Sequence, residues 1–215
     1  MVENDVNLGA LGVKRFGVGK GSLNILVMFI GTGIGGALII NGNLYRGSNY
    51  IAGEIGHTII DKKGPVCGCG KHGCFEAIAS RTAIVRNILS DKRTKKRSII
   101  LKLVPKGEKI KSRTLSEAVK RKDKIVLEHL RNACEVIGLV SANVSNLLNI
   151  DTIVYGGGLI EALGDEMLPM IKKSYYNFVL DDAAKGTKLL KSKLGDDAAL
   201  YGGIVLAEEF LGLKV

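Results

Sequence analysis

No stretch of this 215-residue chain carries the roughly 20 consecutive apolar residues that a membrane-spanning helix needs. The start, Met1-Val2-Glu3-Asn4-Asp5, also lacks the charged and apolar regions of a signal peptide. Together these absences imply a cytoplasmic chain with no membrane partner. Internal repeats and low-complexity linkers are missing too, so one large domain, or one and a fraction, is expected. Aromatic side chains are absent from the two most basic stretches, Lys92-Arg93-Thr94-Lys95-Lys96-Arg97 and the segment from Lys106 to Lys124. Nothing there can stack on bases, and the net charge of +10 is read as a solvated insertion over about 90–113 in preference to a nucleic-acid surface. Such a basic surface also suits an anionic nucleotide or sugar phosphate.

Apolar residues make up 46% of the chain, enough to fill a core at this length. The densest chemistry lies between Ala52 and Glu76, where Cys67, Cys69 and Cys74 alternate with Gly68, Gly70 and Gly73. Thiols kept for packing have no reason to cluster in this way. A tetrahedral zinc site does, because its thiolates converge on a tight backbone and glycine supplies the positive φ of such a knuckle. The alternative is a disulfide or a set of buried thiols, but a relaxed bridge between Cys67 and Cys69 is awkward at that spacing. His57 and His72 compete for the fourth ligand position. His72 sits inside the knuckle, where its side chain turns outward more easily, and Glu54 precedes His57 by three residues. The expected set is therefore His57, Cys67, Cys69 and Cys74.

Val2-Glu3 reads as the end of a strand and Asp5 as the N-cap of a short helix from Val6 to Gly12, with a functional role for Asp5 as the alternative. Leu23 to Ile30 is an apolar strand leading into Gly31-Thr32-Gly33-Ile34-Gly35-Gly36. This matches G-x-G-x-x-G, yet a dinucleotide fingerprint must open a helix, and Ala37 to Tyr45 reads as a second strand with an Asn-Gly turn. Gly-Lys-Ser/Thr is lacking, which excludes a Walker loop. What remains is a glycine-rich hairpin, either ordinary or one whose amides and Thr32 hydroxyl approach phosphates. Beyond it, helical spacing runs from Ala77 to Leu89 and from Asp123 to about Asn149, with Cys134 as a packed thiol on the second stripe. Ile99 to Val104 fits a strand or a helix equally. Asp151 to Tyr155 reads as a strand that turns at Gly156-Gly157-Gly158 into a helix from Glu161. Pro169 falls within or just before a helix from Met170 to Tyr176, and an apolar segment near Leu189 precedes a final helix, Tyr201 to Leu211.

Gly53-Glu54-Ile55-Gly56-His57 followed by Cys67-x-Cys69-Gly70-x-x-Gly73-Cys74-x-Glu76 resembles the signature of the ROK family, bacterial sugar kinases and sugar-responsive repressors that include zinc-dependent glucokinases. The likeness extends over nearly the whole chain from Glu3. It implies an α/β fold of the actin-like ATPase, ribonuclease H-like class, in which zinc is structural. By the same resemblance, Asp5 in Glu3-Asn4-Asp5-Val6-Asn7 is the catalytic base, and Asn4, Glu54, His57 and Glu76 hold the sugar. Gly31, Thr32 and Gly33 correspond to a phosphate loop, and Gly156, Gly157 and Gly158 lie near the adenosine of ATP, bound with magnesium. ROK proteins begin with a lobe carrying Asp-x-Gly-Gly-Thr, and no such motif precedes Asn4. Residues 1–22 are thus read as a remnant of that lobe and an interdomain segment, and 23–215 as the large C-terminal lobe with its knuckle at 57–76. The polypeptide is then a fragment, a relic, or one partner of a separate N-terminal lobe, and a homo-oligomer is implied. The expected activity is ATP-dependent phosphorylation of a hexose or N-acetylhexosamine, with little turnover by this chain alone. The alternative is the non-catalytic sugar-binding module of a repressor, disfavoured because no helix-turn-helix is present.

Overall fold

The computed structural model describes residues 2–105 and 107–213. Met1, Lys106, Lys214 and Val215, which fall within the expected lobes and the basic stretch, lie outside the described residues. Strand β1 (Ile25–Ile30) is an unbroken apolar run, ILVMFI, of a kind that is stable only with both faces covered. It forms the middle of a five-stranded sheet of order β3-β2-β1-β4-β5. Strands β2 (Ile34–Ile40) and β3 (Asn43–Tyr45) extend it antiparallel, while β4 (Thr152–Gly156) and β5 (Lys188–Lys191) extend it parallel. Asn41 and Gly42, at φ 50° and 79°, make the tight β2–β3 turn that the Asn-Gly pair predicts.

The two-residue period of the strands divides the core. Leu26, Met28 and Ile30 join Ile153 and Tyr155 on one face, under α6 (Lys124–Leu148) and α7 (Gly158–Phe178). Ile25, Val27 and Val154 face the other way, against Ala10 and Val13 of α1 (Asp5–Phe16), which in turn packs on α9 (Ala198–Phe210). Full burial of one such aliphatic side chain stabilises by about 1.5–3 kcal/mol, so a strand buried on both faces anchors the sheet. Asp123 starts α6 by accepting from the amides of Ile125 and Val126, and Asn149 ends it at φ 50°, as the sequence predicts.

Several expectations are corrected. Val2 and Glu3 are not in a strand. Asn4, not Asp5, caps α1: its side chain accepts from the Val6 amide, while Asp5 is the first helical residue. The helix expected over 77–89 is two, α2 (Phe75–Ala79) and α3 (Arg81–Ser90), because the Ser80 hydroxyl accepts from the Ala83 amide and caps a new start. Pro169 lies inside the single helix α7, and α9 begins at Ala198. The segment near Leu189 is strand β5, after the short α8 (Asp181–Ala184). The basic stretch is not merely solvated. It contains α4 (Thr94–Arg97), a 3-10 turn at Ile100–Lys102 and the start of α5 (Ser112–Lys120), and Ile100, Ile110 and Leu115 enter the main core. Asp91 binds Arg93 and His129, and Arg93 binds Glu128, tying this stretch to α6.

Candidate functional site

Four donor atoms, one each from His57, Cys67, Cys69 and Cys74, lie within 4.8 Å of one another. The backbone makes this possible: the Cys67 amide donates to the Lys71 carbonyl, the Gly70 amide to the Cys67 carbonyl, and Gly70 and Gly73 sit at φ 85° and 71°. Cys69 and Cys74 sulfurs are 3.6 Å apart, and the Cys67 sulfur is 3.7 Å from His57 Nδ1. The edge of a tetrahedron with metal–sulfur bonds of 2.3 Å is about 3.8 Å, so this donor set fits a tetrahedral metal. All four cysteines are free thiols. Burial pushes the Cys74 thiol up to about 12, with the sulfurs of Cys69 and Cys67 adding to it. The competing His72 points away, its Nδ1 lying 3.1 Å from the Gly64 carbonyl, and Cys134 is buried on α6.

The glycine hairpin between β1 and β2 is where the remaining candidates meet. A Cβ on Gly33 would fall 2.2 Å from a Glu76 carboxylate oxygen, one on Gly35 2.6 Å from Val6, and one on Gly36 2.5 Å from Ile55. Bare backbone is therefore required where the hairpin touches α2, the start of α1 and the Glu54–His57 turn. Glu76 accepts from the Ile34 amide through Oε2 (2.9 Å), and its Oε1 is 3.8 Å from the Cys67 sulfur. Glu54 Oε2 lies 3.9 Å from His57 Nε2. Glu54 and Glu76 thus flank the donor cluster, and a groove of about 400 Å³ lined by Thr32, Gly33, Cys67 and Glu76 opens beside Glu76.

Asp5 belongs to a different cleft, of about 220 Å³, shared with Gly9, Gly157, Glu161 and Asp196. Parallel pairing of Phe29 with Gly156 brings the ends of β1 and β4 level, so a Cβ on Gly31 would lie 4.0 Å from the Gly158 amide nitrogen. Gly157, at φ 84°, precedes α7 and leaves its first amides at this crevice. Burial, then the charge of Asp196, raises the Glu161 carboxyl above its ordinary value. Asn4 and Asp5 hydrogen-bond to the Val6 amide at their own helix start. They reach the hairpin through Val6 and Gly35, with no hydrogen bond to Glu54, His57 or Glu76 among the described residues.

Sequence reasoning missed three residues. Arg81 donates to Thr32 Oγ1 (2.6 Å) and its amide to the Gly31 carbonyl (2.9 Å), which fixes the hairpin tip. Thr82 adds a bond to the Thr32 carbonyl. Glu3 accepts from Asn7 and Arg46, pinning the chain start beside α1. The Ser80 hydroxyl marks in the sequence where that helix starts, but not that Arg81 reaches the hairpin.

The chain is 37% identical over 204 residues to a glucokinase of Halalkalibacterium halodurans, an alignment covering 94% of this chain and 62% of that protein. It is 32% identical over 213 residues to a xylose repressor of Bacillus spizizenii, covering 99% of this chain and 51% of the repressor. It therefore spans less than two thirds of the first relative and about half of the second. In three dimensions it superposes with a TM-score of 0.85 and 31% identity on a ROK family glucokinase from Streptomyces griseus crystallised with glucose and AMPPNP, covering 97% of this chain and 68% of that one. The mixed α/β architecture is that of the actin-like ROK sugar kinases. The ROK family profile itself matches residues 1–210, and this chain belongs to the ROK family.

Proposed function

We propose that the chain is the large lobe of an ATP-dependent, glucokinase-like sugar kinase that acts on a hexose or N-acetylhexosamine. The observation that carries this reading is the position of Glu76. One carboxylate oxygen holds the hairpin at Ile34, two residues from Thr32, and the other faces Cys67. A single side chain thus links a donor cluster, the groove it lines and a phosphate-type hairpin. Glu54 and Glu76 accept hydrogen bonds from neighbouring sugar hydroxyls and His57 adds a further polar contact, with Asn4 contributing from the cap of α1. Asp5, by the family resemblance the proton acceptor, would reach the attacked hydroxyl from the adjoining cleft that it shares with Gly157. The amides of Gly31 to Gly33 and the start of α7 after Gly156, Gly157 and Gly158 approach the nucleotide phosphates. Magnesium, when bound with ATP, neutralises charge on the transferring phosphoryl group. Zinc is the metal of choice for three thiolates and an imidazole from His57, Cys67, Cys69 and Cys74, where it cross-links the knuckle.

The match to a xylose repressor supports a second reading, a sugar sensor without catalysis. Calorimetry on the chain separates the two. The kinase reading expects binding of both glucose and AMPPNP, whereas a sensor takes sugar alone. Glu76→Gln should weaken sugar binding by about 1–3 kcal/mol with metal content unchanged, because it removes a charged acceptor. If that variant bound glucose, mannose and their N-acetyl derivatives as tightly as the parent, the sugar pocket would be wrong.

A further inference from the structure

A separate groove of about 1040 Å³ runs between α3 and the segment that ends at Lys111. Its size is that of a pocket for a small organic molecule. The floor is apolar, formed by Leu89, Leu101 and Val104, and Leu89 and Leu101 leave 54% and 43% of their surface exposed. The rim is cationic. Lys109 and Lys111, both exposed, flank the buried Ile110, and all three line the groove. Glu108, the only carboxylate lining the groove among the described residues, reaches Lys111 at 3.8 Å, and Lys109 has no carboxylate within 4.0 Å among the described residues. Arg81 lines the same groove while holding Thr32. An apolar floor beside the unpaired Lys109 amine and the loosely paired Lys111 favours a ligand with both characters.

We propose that this groove binds a small amphipathic organic anion, its apolar body on Leu89, Leu101 and Val104 and its phosphate or carboxylate head on Lys109 and Lys111. The assignment places its contacts on residues other than those that would hold the sugar, although Thr32 of the hairpin also lines the groove, and the dye titration below reads the groove whether or not the chain binds sugar. An occupant would lie one side chain, Arg81, from the hairpin tip, and an anionic head that recruits this guanidinium competes with Thr32 for it.

The probe is 8-anilinonaphthalene-1-sulfonate, an aromatic body with an anionic head, with the uncharged N-phenyl-1-naphthylamine as its control. The parent chain should bind the anionic dye saturably, at about one dye per chain for one such groove. Lys109→Glu combined with Lys111→Glu should weaken it at least about tenfold, the loss of a charge-assisted contact, and leave the neutral dye unaffected. Leu89→Asp should weaken both dyes, and Leu89→Ser replaces it if the Asp variant melts early. Decyl phosphate and decanoate are then added as displacers, and the stronger one identifies the head group. Failure of both displacers, or dye binding untouched by either set of variants, overturns the proposal. So does sedimentation showing a dimer that Leu89→Asp dissociates, since a second copy would then cover the groove.

Discussion

Individual side chains decide whether the knuckle is a metal site. His57, Cys67, Cys69 and Cys74 present donors at tetrahedral spacing, and Cys134 lies alone in the core. On the zinc proposal, purified protein holds about one zinc per chain, and chelation lowers its melting temperature because metal binding is coupled to folding. Cys69→Ser should lower both metal content and stability, whereas Cys134→Ser leaves the content unchanged. Elemental analysis finding no zinc after growth in zinc-replete medium would refute the assignment. The donors were legible in the sequence because glycines and thiols alternate at short range, and local spacing alone restricts them. The choice of His57 over His72 followed from the same local geometry. Arg81, Thr82 and the Glu3–Arg46 pair were not legible, since each acts on a residue far away in sequence whose position only the folded sheet defines.

Helices α1 and α9 meet at the scale of whole elements, backbone against backbone. A Cβ on Gly202 would fall 1.7 Å from the Leu8 carbonyl oxygen, and nothing lies within 4 Å of one on Gly203. Gly202→Ala should therefore force the helices apart and destabilise by about 1–3 kcal/mol, the usual range for overpacking. Gly203→Ala, one position on, should instead stabilise by up to about 1 kcal/mol through helix propensity. Urea unfolding of the two variants measures the contrast, and equal effects would refute the close crossing. Long elements were the readable ones: α6 has a stripe of seven turns and a cap at each end, and β1 has an unbroken apolar run. The break at Ser80 was hidden because apolar residues keep their helical spacing across it, and only the hydroxyl of Ser80 reveals the second start. Ile99 to Val104 was undecidable because six residues hold too little of either period, and a single 3-10 turn obeys neither.

For the molecule as a whole, the kinase proposal predicts a division of labour. Two-lobed kinases close over their substrates to exclude water, and this chain spans 62% of the Halalkalibacterium glucokinase it resembles. The 215 residues alone are expected to bind sugar and nucleotide yet phosphorylate negligibly. Robust turnover with a mass-verified product would show that no second lobe is needed. The sheet order carries a further consequence, for the ribosome. Strand β1 is central, yet its parallel neighbour β4 arrives late: the bond from the Asn24 amide to Asp151 beside that ladder spans 127 positions. At about 5–20 residues per second, ILVMFI waits roughly 6–25 s after emerging before its partner exists. Throughout that interval an uncharged, proline-free six-residue strand presents an unpaired edge, the type of segment that templates intermolecular pairing. Nascent-chain yield should thus depend on chaperones or slow synthesis far more than the stability of the finished sheet would lead one to expect.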